Sequence, residues 1–481
     1  MIRDVVVLGA GRALQALAGL VTIRVATGLL PPETMGYVAQ TTSLVWLICW
    51  IVVAPVGVYV ARAFLGWRNQ GVAGQQLMRY LVFVMVAAAA SAILVLALRS
   101  SASIIPGISA VTLAVLTLLY LFGYPLQTAG TGCLILLGRR ISYVAFGNLA
   151  VWGGLLLAVV LFRFFSSAES WLAGVFLGNV VAASAFFLVM RIAEKPAENA
   201  PGSLPFTWRA VFMFAWPQLL TSALWWSQSQ SYRFVLGELG GPALVGLFAA
   251  GYTVCAGTMQ TMETLFNEIY NPKLYRTLAD HGQAGQVQAW NDYASAYLPA
   301  IVLFGAFLVG MIPFLANVLL AEQYRVIVPI LFIPALTETL RAMYTVLNTM
   351  GVVKLDMRIT VPPVIAGAIL SPLLVYVLGS SNPLLGTAAG LLLAYLAVFL
   401  IVIPITRSAL PIRWPIGRIL VAALTGLPMI ILGQLLPRML NTTLAISVVV
   451  LAIGALYMAG AQYVLARPWL GRVFRLDKGI R

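Results

Sequence analysis

The sequence predicts an all-α polytopic membrane protein with about fourteen transmembrane helices, and three observations carry that fold class. Of 481 residues, 61% are hydrophobic and 9% charged, whereas a soluble domain carries roughly 25% charged residues. The apolar runs are mostly about 20 residues or longer, enough for a helix to cross some 30 Å of hydrocarbon, and they lack the alternation of an outer-membrane barrel. Third, lysine and arginine are unevenly shared between the connections. If the N-terminus is cytoplasmic, the inside segments hold twenty-one of them, and the outside loops hold four: Arg99, Arg163, Arg325 and Arg438. That positive-inside bias puts both termini in the cytoplasm.

In chain order, the expected spans are residues 5–30, 37–61, 80–98, 108–137, 141–162, 170–190, 210–237, 243–271, 293–320, 326–350, 359–379, 384–406, 418–437 and 443–466, bounded by charges and turn residues. The N-terminal run has no small-residue cleavage site after a short apolar core, so it reads as a first span rather than a removed signal. Prolines within spans, among them Pro55, Pro125, Pro217 and Pro372, remove backbone hydrogen bonds and permit bends. Cys49, Cys133 and Cys255 all fall inside apolar runs, which implies small buried hydrophobes rather than disulfides. The net charge of +15 is scattered through short loops, so it reports topology and gives no sign of a nucleic-acid partner.

Two stretches repeat one plan. Arg24 is followed by Gly28, Leu30, a Pro-containing turn and Gly36; Arg233 is followed by Gly237, Leu239, a Pro-containing turn and Gly246. The repeat predicts two related six-helix lobes around a central cavity, followed by a helix pair. Their expected limits are an N-terminal lobe over 1–192, a polar, Pro-rich cytoplasmic linker over 193–208, a C-terminal lobe over 209–410, and a helix pair with a basic tail over 411–481. No inside segment is long enough for a soluble domain, which argues against an enzyme. The sequence offers no catalytic, metal or cofactor set.

Each charge placed mid-membrane costs about 2.5 to 3.5 kcal/mol on insertion scales. The chain nevertheless holds Arg12 and Arg24 in the first span, Arg233 in the seventh, Glu263 and Glu268 in the eighth, and Glu338 with Arg341 in the tenth. These charges lie in polar stripes at helical spacing. Gln218, Ser222, Trp225, Ser229 and Arg233 share one face, as do Tyr120, Tyr124, Gln127 and Thr131. Gln260, Glu263, Asn267 and Asn271 align, as do Glu338, Arg341, Thr345 and Asn348. Such faces line either packed contacts or a water-filled cavity. The residues alone leave two readings of Arg24 and Arg233: partners for an anion, or side chains that snorkel to the headgroups. Glu338 and Arg341, three residues apart, can also simply neutralise each other.

Four local patterns carry a resemblance to a known family. They are Arg24 to Tyr37; Trp216-Pro217-Gln218-Leu219-Leu220 leading through Tyr232-Arg233 to Val245–Ala250; Leu320-Ala321-Glu322-Gln323-Tyr324; and Asn348-Thr349-Met350-Gly351-Val352-Val353-Lys354. In these the chain resembles the polysaccharide-transport flippases, which move O-antigen or exopolysaccharide repeat units, of the multidrug/oligosaccharidyl-lipid/polysaccharide exporter superfamily. Tyr232 stands where that family often has an aspartate. The resemblance implies a multi-pass protein of the bacterial cytoplasmic (inner) membrane that moves a polyprenyl-diphosphate-linked oligosaccharide between leaflets by alternating access. Its implied partners are the lipid-linked substrate, membrane lipids, and the polymerase and glycosyltransferases of the same pathway; the last two spans would form a groove for the lipid chain.

Guanidinium groups pair phosphate oxygens in fixed geometry, so Arg24, Arg233, Arg12 and Arg341 are the expected diphosphate partners. Gln218, Trp225, Tyr124 and Gln127 are expected to face the sugars, and Glu263 and Glu338 to couple transport to an ion. The alternatives are a cation-coupled multidrug or small-molecule exporter of the same fold, and a membrane scaffold that transports nothing. The topology has a direct check: cysteines placed at Ser380 and Gly202 should react with impermeant thiol reagents from opposite sides of the membrane. Labelling from one side would break the fourteen-span arrangement.

Overall fold

A computed structural model describes residues 2–101, 105, 107–193, 207–354, 356–410, 413–439 and 442–477. Among these residues the chain forms α-helices and short 3-10 turns, with no strand. The helices are α1 (Ile2–Leu29), α2 (Pro32–Val52), α3 (Ala54–Asn69), α4 (Ala73–Ser101), α5 (Ala110–Leu136), α6 (Arg140–Phe165), α7 (Ala168–Ala193), α8 (Trp208–Gln230) and α9 (Tyr232–Leu319). After a 3-10 segment at Glu322–Ile330 come α10 (Phe332–Asn348), α11 (Met350–Lys354), α12 (Val361–Gly379), α13 (Pro383–Ala409), α14 (Ile416–Met439) and α15 (Leu444–Asp477). Of the expected linker, residues 194–206 lie outside the described residues.

Local chemistry sets several boundaries. Ser109 caps α5 by accepting from the Thr112 amide at 3.1 Å, and Asn382 caps α13 by accepting from the Leu385 amide at 3.1 Å, with Pro383 opening the helix. Pro55 opens α3 after a break at Val53, so the expected second span is divided into two helices. At Ser166 the chain leaves α6 in the left-handed conformation, with φ of 47°.

The 88 residues of α9 cannot be one rod. In a straight helix Tyr232 and Phe248 would stand about 24 Å apart, yet their rings lie 5.4 Å apart. The first reversal sits at Gly240-Gly241, where Gly241 takes φ of +78°, a region that only glycine enters without strain. The second lies between Asn267 and Tyr297, because the Tyr297 hydroxyl donates to Asn267 Oδ1 at 3.1 Å.

Eleven segments are long and apolar enough to cross a membrane, or twelve if the helices at Glu322–Ile330 and Phe332–Lys354, which meet at 65°, count as one broken span. This is a multi-pass membrane protein. The expected fourteen is not reached on this measure, and two places account for much of the difference. The apolar run of α1 is interrupted by Arg12, Gln15 and Arg24, and α1 is not among the eleven. Residues 208–278 form one continuous apolar helical stretch that counts once despite its reversal at Gly241.

The chain forms two compact units: residues 1–22 with 33–226, and residues 23–32 with 227–481. In the first unit α7 packs on α5 and α6, and α4 on α5. A side chain at Gly178 in α7 would run into the backbone of Gly154 in α6, so that seam depends on small residues. In the second, α12 packs on α13, α10 on α9 and α13, and α14 and α15 on α9. Many large apolar side chains stay exposed, such as Ile93, Leu424 and Leu456, as a lipid-facing surface requires. All three cysteines are buried and free.

Helices α1 and α8 each contribute to both units, and hydrogen bonds explain the division. In the second unit the end of α1 is clasped by the segment after α9: Arg24 donates to the Leu320 carbonyl at 2.7 Å, the Gln323 amide to the Thr27 carbonyl at 3.1 Å, and the Tyr324 hydroxyl to the Leu30 carbonyl at 2.8 Å. For α8, the Trp226 indole donates to the Ser43 carbonyl at 2.7 Å within the first unit. One residue later, Ser227 donates to the Ala368 carbonyl at 2.8 Å within the second.

Because Gly241 holds a left-handed conformation, Gly241→Ala should lower the thermal unfolding midpoint of the detergent-solubilised protein, by an amount equivalent to about 1–2 kcal/mol. Gly257→Ala, in the same helix with open space at the new methyl, should not lower it. Equal midpoints for the two variants would contradict the reversal at Gly241.

Candidate functional site: a buried Glu–Arg–Glu cluster

The second unit brings three of the expected site residues together. Glu338 and Arg341 stand three apart on α10 and so share a face. Arg341 Nε donates to Glu338 Oε2 at 2.7 Å, and Arg341 Nη2 donates to Glu263 Oε2 on α9 at 2.5 Å, with Nη1 at 3.5 Å from Oε1. The planar fork thus spans two carboxylates, a geometry that a lysine could not reproduce. Side-chain exposure is 13% for Arg341, 12% for Glu263 and 2% for Glu338. The set is therefore largely sequestered, with Glu338 the most deeply buried.

Tyrosines that sequence reasoning did not single out complete the cluster. The Tyr252 hydroxyl donates to Glu338 Oε1 at 2.5 Å, so both Glu338 oxygens are engaged. The signal was available: Tyr252 lies eleven residues before Glu263, three helical turns, and therefore on the same face. Tyr297 donates toward the Glu263 carbonyl at 3.2 Å and Asn267 Oδ1 at 3.1 Å, which fixes the backbone that carries Glu263. Only the return of α9 upon itself supplies that contact.

Arg233 reaches the cluster through rings. Its Nε donates to the hydroxyl of Tyr232 at 3.2 Å and its guanidinium carbon lies 5.6 Å from that ring's centroid. Tyr232 is buried and its ring lies 5.6 Å from that of Tyr252. Tyr232 thus links Arg233 to the Glu338 side of the cluster. Arg24 also belongs to the second unit. It is exposed and uses one of its five N–H donors on the Leu320 carbonyl.

The remaining expected residues, apart from Glu268 of the second unit, belong to the first unit. Arg12 is exposed, donates to Gln15 Oε1 at 3.3 Å and lies 5.7 Å from the Tyr143 ring centroid. Tyr124 stacks on Tyr120 at 5.1 Å, Gln127 is buried in α5, and Gln218 is half-buried in α8. Trp225 is exposed and packs at 4.9 Å against Trp50. Glu268 is exposed on α9, apart from the cluster's buried face.

With both carboxyls ionised, the cluster carries one negative charge in excess. A single proton or monovalent cation balances it, and chemistry of that kind can tie a conformational change to an ion. Among the described residues, no group of three or more His, Cys, Asp or Glu side chains has the arrangement of a metal centre.

No family model matches the chain, and no curated protein matches its sequence. Solved structures match its fold. The lipid II flippase MurJ, in an inward closed conformation, superposes with a TM-score of 0.71 at 12% identity, covering 98% of this chain and 100% of its own. An inward-facing multidrug resistance MATE family transporter of the MOP superfamily matches with a TM-score of 0.60 at 14% identity, over 83% of this chain and 95% of its own. An outward-facing MATE family transporter gives 0.53 at 14% identity, over 85% and 94%. The chain therefore shares the all-helical fold of these solved structures.

Removal of Arg341 would leave two buried carboxylates facing each other unpaired, and breaking such a set costs about 3–5 kcal/mol. Arg341→Ala should therefore lower the unfolding midpoint sharply, whereas Glu263→Gln, which retains the Arg341–Glu338 pair, should leave it within a few degrees of wild type. Comparable stability of Arg341→Ala and wild type would show that the carboxylates do not depend on the guanidinium.

Proposed function

We propose that this chain is a flippase that carries a polyprenyl-diphosphate-linked oligosaccharide from the inner to the outer leaflet of the bacterial cytoplasmic membrane. The observation that carries this reading is the extent of the fold match. The lipid II flippase structure accounts for 98% of the chain, the exporters for 83–85%. A lipid-linked, diphosphate-bearing cargo also suits a chain in which Arg12, Arg24, Arg233 and Arg341 lie within helices, since a diphosphate taken into a membrane needs cationic partners.

In this reading, Arg24 and Arg233 hold the diphosphate oxygens, with Arg12 and Arg341 as further cations. Gln218, Trp225, Tyr124 and Gln127 face the sugars through amide and aromatic groups. Lobes over 1–192 and 209–410 alternate, both termini are cytoplasmic, and Glu263 and Glu338 couple the movement to an ion. Arg341 pairs internally with both acids, so it serves the diphosphate by yielding a carboxylate when that carboxylate takes up a proton or cation. Arg233, tied through Tyr232 to the same network, would sense the exchange. The exporter reading shares the fold and the acid cluster. It differs in needing no diphosphate partner.

Arg24→Ala and Arg233→Ala should each reduce transport by roughly thirty-fold, the equivalent of about 2 kcal/mol for a lost charge-assisted contact, while the protein still inserts. The measurement is surface polysaccharide, together with lipid-linked oligosaccharide accumulating on the cytoplasmic leaflet. Normal polymer in both variants would sink the phosphate-clamp reading. In proteoliposomes, Glu263→Gln should weaken the dependence of flux on the proton or sodium gradient. An unchanged dependence would remove Glu263 from coupling.

A further inference from the structure

The first unit carries a groove that the proposed transport pathway does not use. It has a volume of about 410 Å³ and is lined by Met78, Arg79, Val82, Phe83 and Val86 of α4 and by Trp208, which opens α8. All six residues belong to the one unit. Met78, Val82 and Val86 recur at four-residue steps, so they form a single stripe along α4, with Arg79 beside its start.

Aromatic rings set the spacing of the helices here. The Trp208 ring lies 5.4 Å from that of Phe83, and further along α8 the Phe214 ring lies 5.5 Å from that of Tyr59 on α3 and 5.8 Å from the Arg62 guanidinium. Helices that meet through rings of this size stand apart, and the space between them is the groove. Met78, Val82, Val86 and Trp208 all stay exposed in it.

The charge around the groove is of one sign. Between Glu33 and Glu169 the sequence has no aspartate or glutamate, and α8 has none, whereas α3, α4 and α8 carry Arg62, Arg68, Arg79, Arg99 and Arg209. Arg79 spends one of its five N–H donors on Gln76 Oε1 at 3.2 Å, and no carboxylate on these helices balances its charge. A guanidinium at the edge of hydrocarbon needs an anionic partner, and basic pockets between helices on the cytoplasmic side take theirs from lipid headgroups. Tryptophan favours the headgroup level of a bilayer, so Trp208 and Arg79 together mark that depth. From Arg79 the stripe runs seven residues to Val86, about 10 Å along the helix.

We infer that the groove between α4 and α8 holds an anionic glycerophospholipid, such as phosphatidylglycerol, from the leaflet to which the charge bias assigns Arg62, Arg68 and Arg79. Its phosphate accepts from Arg79, and one acyl chain lies along Val82, Phe83 and Val86 against the Trp208 ring. Two features of the lining select this lipid. Its single guanidinium matches one phosphate rather than a diphosphate, and it has no carboxylate to face an ethanolamine ammonium. The lipid fills the gap between α4 and α8 and is not the transported cargo, so the inference stands apart from the flippase reading.

The test is native mass spectrometry of the full-length protein, delipidated in detergent and then titrated with phosphatidylglycerol, phosphatidylethanolamine or a short-chain polyprenyl diphosphate. Wild type should retain phosphatidylglycerol at least ten-fold more strongly than phosphatidylethanolamine. Arg79→Gln should remove that preference, Arg79→Lys should keep most of it, and Val86→Trp, which fills the exposed groove, should weaken retention of phosphatidylglycerol at least ten-fold. Phosphatidylglycerol should also raise the thermal unfolding midpoint of wild type and leave that of Arg79→Gln unmoved. Arg438→Gln, an exposed arginine of the second unit, should behave as wild type; an equal loss there would place the lipid elsewhere and overturn the inference. Equal retention of the two phospholipids by wild type would overturn it too, as would undiminished preference in Arg79→Gln. Retention of polyprenyl diphosphate in place of phosphatidylglycerol, lost in Val86→Trp, would assign the groove to cargo and likewise overturn it.

Discussion

In the apolar interior of the second unit, Arg341 must hold Glu263 and Glu338 at once, and much of the local architecture serves that pairing. The two acids come from different helices, so the guanidinium fixes α10 against the middle portion of α9. Tyr252 satisfies the remaining Glu338 oxygen, and Tyr297 anchors the backbone beneath Glu263. The Tyr297 contact forms only because α9, which turns back twice, returns between Asn267 and Tyr297. The glycine pair at Gly240-Gly241 permits the first of those turns.

The cluster combines stability with a poised imbalance. Two acids and one base in a largely desolvated setting hold together strongly, yet their charges do not cancel when both acids are ionised. A proton or cation that arrives at such a set changes its pairing, whereas one that arrives at a neutral pair would meet no excess charge. Tyr232 extends the set to Arg233 through a hydrogen bond and ring contacts. Tyr232 thus connects the repeated arginine to the acids through a neutral group.

The two arginines that open the repeated stretches differ in their surroundings. Arg24 is exposed and donates to a backbone carbonyl, near a clasp made by Gln323 and Tyr324. Arg233 is half-buried and lies over an aromatic ring. A repeat in sequence has thus given the two arginines different partners. The clasp also explains how α1 serves two units: its last residues are held by hydrogen bonds to residues nearly three hundred positions away.

The sequence by itself determined the class of the protein, because hydrophobic composition, run length and the charge asymmetry of loops are local properties that a bilayer reads directly. It also determined that Glu338 and Arg341 share a face, since three-residue spacing on a helix leaves no alternative, and it placed Glu263, Arg24 and Arg233 within apolar helices. Tertiary structure alone decided which stripes meet. Nothing in the spacing of Glu263 shows that α9 returns to bring it to Arg341, or that Tyr297 comes back beneath it. The span count was likewise only partly legible: the gaps expected at 238–242 and 272–292 hold the two reversals of α9, but apolarity does not reveal where a span breaks at 65°. The pairing of charges is a long-range outcome, set by which helices pack together, and a one-dimensional pattern carries only the faces available for it.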